Sequence, residues 1–302
     1  MRQFVRVDLG SDPECGLRGG AQLTFCRRGS ATVLARAHVE APLKLVRPFA
    51  LADGRLVVPL ITLGPGLCGG DVCTIEIEVD AGARVIVTHT AATRVLGMTD
   101  EAQALQRVRL TAGPGAHLEY YPGLTIPFPD SAFVQEIDAN AARDARVGIL
   151  ETWALGRTAR DEYLRFRYVR SRTTVYVEGA PVYADVTLFE PRTAAVAGTG
   201  VLDRRRYLVS GFWYGAEVSA DGRGQTPDAP LRTAGQARDW GQTPDGRLHT
   251  PLVAFGQSRP GQVFLRALGD DGQALDRVVR DALASVADAW KVPPLPLDRF
   301  RC

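Results

Sequence analysis

The feature that most constrains this fold is a long succession of strand patterns in the first two thirds of the 302-residue chain. The clearest runs from Val72 to Val79, where apolar side chains alternate with polar ones, as in a strand buried on one face. No helical pattern of ten or more residues separates one strand pattern from the next, which disfavours alternating strands and helices. The chain is therefore predicted to be mainly β. The other predicted strands are residues 84–90, 107–110, 117–120, 133–137, 147–155, 163–169, 173–177 and 182–188.

Short turns join these strands, and residues 113–115, Gly-Pro-Gly, are a strong example. Such spacing is typical of a sandwich, a barrel or a β-solenoid, and periodicity alone does not choose among the three. Near the C-terminus, apolar residues recur at helical spacing from Leu275 to Trp290, with Asp271 placed as N-cap and two prolines beyond the end. One C-terminal helix is therefore predicted.

A polar segment interrupts the strand patterns between residues 215 and 250, and it is rich in Gly, Pro, Asp and Arg. It carries two copies of Gly-Gln-Thr-Pro-Asp, which are too few to build a structural repeat. We predict that residues 215–250 form a polar surface loop within one domain that spans residues 1–302.

Composition excludes several classes of protein. The 36 basic and 34 acidic residues leave a net charge of +2, so the chain has no strong field to attract nucleic acid. No stretch approaches the roughly 18 apolar residues that a membrane span requires, and no secretion signal begins the sequence. The five cysteines are an odd number in a chain large enough to bury a core, which favours reduced thiols. A cytoplasmic location is expected.

The most unusual local motif is the glycine-rich segment 64–71, Gly-Pro-Gly-Leu-Cys-Gly-Gly-Asp. It lacks the Lys and Ser or Thr of a phosphate-binding loop and precedes a strand rather than a helix, so nucleotide binding is disfavoured. Gly69 and Gly70 are instead predicted to form a tight turn that places Asp71 at the start of the next strand.

Two cysteines near this motif raise the question of a metal site. Cys68, Cys73, Asp71 and His89 offer thiolate, carboxylate and imidazole ligands for a divalent ion. However, Cys73 lies on the apolar face of its predicted strand, where a free cysteine acts as a small hydrophobic residue. The sequence also lacks a paired C-x-x-C motif, so no permanent metal site is expected.

Signatures of catalysis are sparse, since the chain has no G-x-S-x-G motif and its four histidines lie in unrelated contexts. Acidic residues near strand ends, Glu151, Asp161, Glu162 and Asp185, could supply an acid–base pair. One open alternative is therefore a cytosolic β-solenoid enzyme that acts on carbohydrate through a pair among Glu151, Glu162 and Asp185. Another is a protein-interaction module without a metal path.

Six segments, in one order along most of the chain, resemble the UreD family of urease accessory proteins, called UreH in some organisms. The resemblance implies a single strand-rich, β-helix-like superhelical domain with one or two helices. It also implies a nonenzymatic scaffold that binds the urease apoprotein and the accessory protein UreF, which brings the nickel-carrying GTPase UreG. The matching segments are residues 41–49, 65–71, 87–95, 118–128, 155–162 and 291–296.

The resemblance further implies that Ni²⁺ passes through an internal tunnel to the urease active site, as cargo in transit rather than as a bound cofactor. Asp71 and Asp185 fall on acidic positions associated with that path, and Glu151 and Glu162 lie in matching segments. A transit path requires weak oxygen ligands, because a closed thiolate or imidazole site would retain the metal. Arg157 and Glu162 are alternatively expected to form an ion pair in the wall. The remaining candidates for the path are His89 and Cys68.

Overall fold

The fold is known from a computed structural model that describes residues 16–198, 201–216 and 251–295. Within these ranges the chain is mainly β, with a β-solenoid-like stack of about four turns and one α-helix at the C-terminal end. This confirms the predicted fold class. The predicted loop 215–250 lies outside the described residues except for Gly215 and Ala216, and the single-domain assignment stays a prediction.

The strands vary from short bridging segments to runs of eleven residues. In chain order the described residues form β1 (Arg18–Arg28), β2 (Ala31–Val39), β3 (Leu43–Leu45), β4 (Phe49–Ala50), β5 (Leu56–Thr62), β6 (Val72–Val79), β7 (Arg84–His89), β8 (Thr93–Val95), β9 (Ala104–Ala112), β10 (His117–Tyr121), β11 (Leu124–Pro127), β12 (Ala132–Ala141), β13 (Arg146–Ala154), β14 (Tyr168–Val177), β15 (Ala180–Phe189), β16 (Tyr207–Tyr214), β17 (Leu252–Arg259) and β18 (Gln262–Gly269).

Successive turns of the stack place strands alternately in two sheets. The first sheet has the order β15-β14-β12-β9-β6-β1-β2, with parallel central strands and an antiparallel hairpin partner at each edge. The second has the order β17-β18-β16-β13-β10-β7-β5-β3, and its pairs from β5 to β13 are parallel. Parallel neighbours need a crossover connection. Here a strand in the opposite sheet is part of each crossover, which explains why the sequence lacks helical patterns in this region.

The main core lies between the two sheets. The apolar face predicted for β6 points into it, and Ile75 and Ile77 are at most 1% exposed. Parallel in-register pairing aligns equivalent positions, so that Leu23, Ile77 and Leu110 occupy one level of the stack. A residue at one level of a strand therefore lies beside the residues at the same level of the neighbouring turns.

The helix α1 (Gly272–Ala289) covers the outer face of the second sheet. Asp271 caps it by accepting a hydrogen bond from the Gln273 amide at 2.9 Å, as predicted. Its apolar side packs against that sheet, and Trp290 at its end is 1% exposed. No helix in the described ranges is long and apolar enough to cross a membrane.

Two features of the strand prediction were wrong. Residues 163–169 and 173–177 were predicted as separate strands, but the structure has the single strand β14, preceded by an irregular connection. Leu164 in that connection has a φ of 55°, in the left-handed region, which a strand excludes. The strands β16 to β18 were not predicted. The side chains of β16 are buried on both faces, so it lacks the alternation that identifies a half-exposed strand.

Candidate functional site

One level of the core between the two sheets is polar. On the first sheet, Cys73, Gln106, Gln135, Ser171 and Thr187 lie side by side on adjacent strands, and each is 6% exposed or less. Inward-facing polar residues of the second sheet lie opposite them. We call this set the interior polar row. Its members are Cys73, Gln106, Gln135, Ser171 and Thr187 of the first sheet and His89, Glu151, Ser210 and Arg266 of the second.

Glu151, on β13, is the buried carboxylate of this row and is 6% exposed. Its Oε1 accepts hydrogen bonds from Gln135 Nε2 at 2.6 Å and Ser171 Oγ at 3.0 Å, and its Oε2 accepts one from Thr173 Oγ1 at 2.7 Å. All three donors are neutral. Burial raises the pKa of Glu151, and these hydrogen bonds offset the effect only in part. Since the ionised form is poorly compensated, a cation that approached this carboxylate would stabilise it.

Asp185, on β15, is linked to Glu151 through one intervening residue on each sheet, Thr173 on the first and Ser210 on the second. Thr173 pairs in register with Asp185, and Ser210 pairs with Glu151 while donating to Asp185 Oδ2 at 2.9 Å. Arg266 Nη1 donates to the same carboxylate oxygen at 2.7 Å. Two carboxylates and one guanidinium thus meet at one end of the row. We call Glu151, Asp185, Ser210 and Arg266 the carboxylate cluster.

Asp71 lies elsewhere. Its strand end at β6 is four strands from Asp185 on β15, which corresponds to about 19 Å at the usual strand spacing. Asp71 Oδ1 accepts a hydrogen bond from the Leu17 amide at 2.9 Å, and Oδ2 accepts one from the Cys68 amide at 2.8 Å. The carboxylate therefore ties the glycine-rich loop to the residue that precedes β1.

The glycine-rich loop has the geometry of a tight turn. Gly70 has a φ of 89°, which side-chain-bearing residues rarely adopt. A Cβ at Gly69 would lie 2.7 Å from the Cβ of Ala102, so the loop packs too closely there for any other residue. Together these two glycines bring the Cys68 amide within reach of Asp71.

His89 is buried in the interior polar row, and within the described residues neither of its ring nitrogens has a hydrogen-bond partner. Burial lowers the pKa of His89 to about 4, so the imidazole is neutral at neutral pH and keeps a free lone pair. The ring of Tyr120 lies edge-on to it, with centroids 6.3 Å apart.

The two cysteines near the loop do not join His89 in a ligand group. Burial, with a smaller contribution from Asp71, raises the pKa of Cys73 to about 12, which keeps it a thiol. Cys68 is exposed, and burial followed by the charge of Asp71 raises its pKa as well. Across the part of the chain that the structure describes, no group of three or more His, Cys, Asp or Glu residues could hold a metal ion.

Arg157 and Glu162 form a two-pronged ion pair, with Arg157 Nη2 donating to Glu162 Oε1 at 2.6 Å. The hydrogen bond from Arg157 lowers the pKa of Glu162. Both line an open surface cavity of about 640 Å³. Neither Glu151 nor Asp185 lines it, so the three carboxylates of the carbohydrate-enzyme alternative do not flank this groove.

Sequence reasoning named both carboxylates of the cluster but missed the residues that hold them. The available signal is a polar residue at an inward-facing position of an apolar alternation. Gln135 stands in this way between Phe133 and Ile137 on β12, and Arg266 does so on β18. The missed residues are Gln106, Gln135, Ser171, Thr173, Thr187, Ser210 and Arg266.

Comparison with known proteins places this chain in a family. Residues 17–301 match the family model described as UreD urease accessory protein. Urease accessory protein UreD 1 of Synechococcus sp. is 40% identical over 192 residues, which cover 64% of this chain and 72% of that protein. Urease accessory protein UreD of Deinococcus radiodurans is 35% identical over 295 residues, 96% of this chain and 99% of the relative. That of Herpetosiphon aurantiacus is 31% identical over 282 residues, 91% of each chain. The chain therefore belongs to the UreD family of urease accessory proteins, which supports a role in urease maturation.

Proposed function

We propose that this chain is a nonenzymatic scaffold of urease maturation that passes Ni²⁺ along the interior polar row toward the urease apoprotein. Its partners are the urease apoprotein and UreF, and through UreF the GTPase UreG. Nickel is the cargo of this scaffold and not a resident cofactor. Family membership supports the role in maturation, and the interior polar row supports the transit of a cation.

The observation that carries the proposal is the buried carboxylate of Glu151, whose three hydrogen-bond donors are all neutral. Burying a charge without a direct counter-ion is costly, and an apolar residue of similar size would stabilise the core better. A protein-interaction module without a metal path has no use for such a residue. A path for a divalent cation does need such a residue, because the passing cation offsets the unfavourable burial of the carboxylate charge.

The ligands of the row favour brief binding. Ser171 and Gln135 of the row, and Thr173 beside it, offer hydroxyl and amide oxygens, which are weak ligands for Ni²⁺ compared with thiolate or imidazole. His89 offers one neutral imidazole, and the nearby Cys73 is held as a thiol. A path must bind its ion strongly enough to admit it and weakly enough to release it. This combination of ligands meets both requirements.

Asp71 is a weaker candidate for the path than Asp185. Both of its carboxylate oxygens already accept hydrogen bonds from backbone amides. An oxygen that accepts one hydrogen bond retains a lone pair, but moving the carboxylate toward a metal would break the two hydrogen bonds that hold the loop. We therefore expect Asp71 to act by positioning the glycine-rich loop at its end of the stack.

The test is the substitution Asp185→Asn, made in cells that co-express urease and the other accessory proteins. The variant is expected to co-purify with its partners as the wild type does, while the nickel content of urease, measured by elemental analysis, falls several-fold. Glu78→Gln is the matched control, because Glu78 is an exposed carboxylate on the outer face of the same sheet. Normal nickel content in both Asp185→Asn and Glu151→Gln would contradict transit along this row.

A further inference from the structure

The carboxylate cluster already contains a cation that belongs to the protein. We propose that Arg266 is a resident counter-cation that occupies Asp185 between metal passages and must leave it before a divalent cation can bind there. This inference rests on the proposed function, because it describes how the same cluster is kept closed to metal and then opened.

Arg266 contacts one carboxylate oxygen of Asp185 and two hydroxyl oxygens beside it, all of which a metal ion at this position would use. Its Nη1 lies 2.7 Å from Asp185 Oδ2 and 3.0 Å from Ser210 Oγ, and its Nη2 lies 3.3 Å from Thr187 Oγ1. A guanidinium held by three oxygens from two sheets fills the space in front of Asp185. A divalent cation and this guanidinium cannot occupy that carboxylate oxygen together, because like charges at such distances repel.

Arg266 differs from a structural arginine in its access to water. The Arg266 side chain is 38% exposed and the Asp185 side chain is 24% exposed. By contrast, Arg55 under the C-terminal helix is 1% exposed. Withdrawing Arg55 would strand a buried charge, whereas Arg266 can turn its guanidinium into solvent and be hydrated there. The exposure of Arg266 thus makes it suited to leaving and returning.

Charge balance favours the exchange. With Glu151 ionised, the two carboxylates and Arg266 together carry a net charge of −1. When a divalent cation replaces the guanidinium, the same site becomes neutral. The metal must nevertheless break an ion pair to enter, and the returning arginine competes with it afterwards. Competition of this kind lowers the apparent affinity for the ion and shortens its stay, as a transit site requires.

The test measures Ni²⁺ binding to the purified full-length chain, without urease, by isothermal titration calorimetry. Arg266→Gln keeps a polar side chain but removes the charge, and it is expected to bind Ni²⁺ about tenfold or more tightly than the wild type. Arg266→Lys retains a cation and is expected to stay near the wild-type affinity. Adding Asp185→Asn to Arg266→Gln should abolish the gain. Circular dichroism checks that each variant is folded.

A second variant, Thr187→Val, tests the proposal if Arg266→Gln does not fold. Thr187→Val preserves the shape of a buried residue and removes one of the oxygens that hold Arg266, so it should tighten Ni²⁺ binding by a smaller factor, about twofold to threefold. Unchanged affinity in folded Arg266→Gln, or in Thr187→Val if the former does not fold, would overturn the proposal. So would a gain that survives Asp185→Asn.

These outcomes are separate from those of the transit proposal. The titration uses the isolated chain, so its failure removes the role of Arg266 and leaves the urease experiment unaffected. Normal urease nickel in Asp185→Asn and Glu151→Gln would remove transit, whatever the titration of Arg266→Gln shows.

Discussion

At the scale of the residue, the ionisation of Glu151 is decided by a competition between burial and hydrogen bonding. Three neutral donors favour the carboxylate, and the charge of Arg266 adds to their effect. Burial and the nearby charge of Asp185 favour the protonated acid, and burial is the largest effect. The pKa of Glu151 is therefore raised, so the folded protein binds this proton more tightly than the unfolded chain does.

This raised pKa predicts that Glu151→Gln stabilises the protein at neutral pH. In the wild type, stability is lost as the pH rises from the usual glutamate value of 4.5 through the higher pKa of the folded state. Glutamine cannot ionise, and it can still accept from Gln135 and Ser171 and donate to Thr173. The melting temperature of the Glu151→Gln variant should exceed that of the wild type by about 2 °C or more at pH 7.5, and the difference should vanish toward pH 4. Thermal unfolding measured across this pH range tests it, and a less stable variant at pH 7.5 would contradict it.

The residues of the cluster show what sequence alone could provide. Glu151 and Asp185 were named from the sequence as acidic residues near strand ends and, through the family resemblance, as candidates for the nickel path. Their donors come from other strands: Gln135 from β12 and Ser210 from β16. Which positions become neighbours depends on strand register, and a single sequence does not specify the register between strands that lie far apart in the chain. The polar residues could be identified in the sequence, but the contacts between them in the folded protein could not be predicted.

At the scale of the element, the C-terminal helix is anchored by a buried ionic network. Arg55 donates to Asp53 at 2.6 Å, to Glu119 at 2.9 Å and to the carbonyl oxygen of Pro293 beyond the helix. His117 shares the Glu119 carboxylate at 2.7 Å. Burial alone would raise the pKa of Glu119, but the charges and hydrogen bonds of His117 and Arg55 together lower it. The segment after α1 is thus tied to the second sheet.

This network predicts that Arg55→Met destabilises the protein by about 3–5 kcal/mol, because it leaves Glu119 buried without its arginine. The measurement is urea unfolding. The control is Arg109→Met, which breaks an exposed pair with Glu76 whose side chains are 62% and 32% exposed, and it should cost below about 1 kcal/mol. Equal losses in the free energy of unfolding would show that the buried network stabilises the protein no more than the exposed ion pair does.

The elements that the sequence predicted best are those with one solvent-exposed face. The strand β6 alternates because its outer side chains meet solvent, and its predicted bounds match the structure. The strand β16 is covered on one side by the core and on the other by α1, so its residues are buried on both faces. Periodicity therefore revealed β6 and missed β16, although both are regular strands.

At the scale of the whole molecule, the stack converts single positions into a continuous feature. Each parallel strand contributes one residue to each level, so one polar residue per turn becomes a polar row across the core. The neighbouring level is apolar at Val108 and Ile137 but polar at Thr173 and Asp185. The polar groups thus span one level across the stack and a second level beside Glu151, and the apolar rest of the interior holds the two sheets together.

Continuity of the row leads to the last prediction, Gln135→Met compared with Ile137→Met. Both residues face the core from β12, but only Gln135 lies in the interior polar row, where it bonds Glu151 and Ser171. Methionine fills either position at similar volume, so each variant should fold, with losses of about 1–3 kcal/mol in urea unfolding. Gln135→Met places an apolar group midway along the row and should lower the nickel content of co-expressed urease several-fold without disturbing complex formation. Ile137→Met should leave nickel normal. Equal nickel in both variants would mean that polar continuity at this level does not serve the ion.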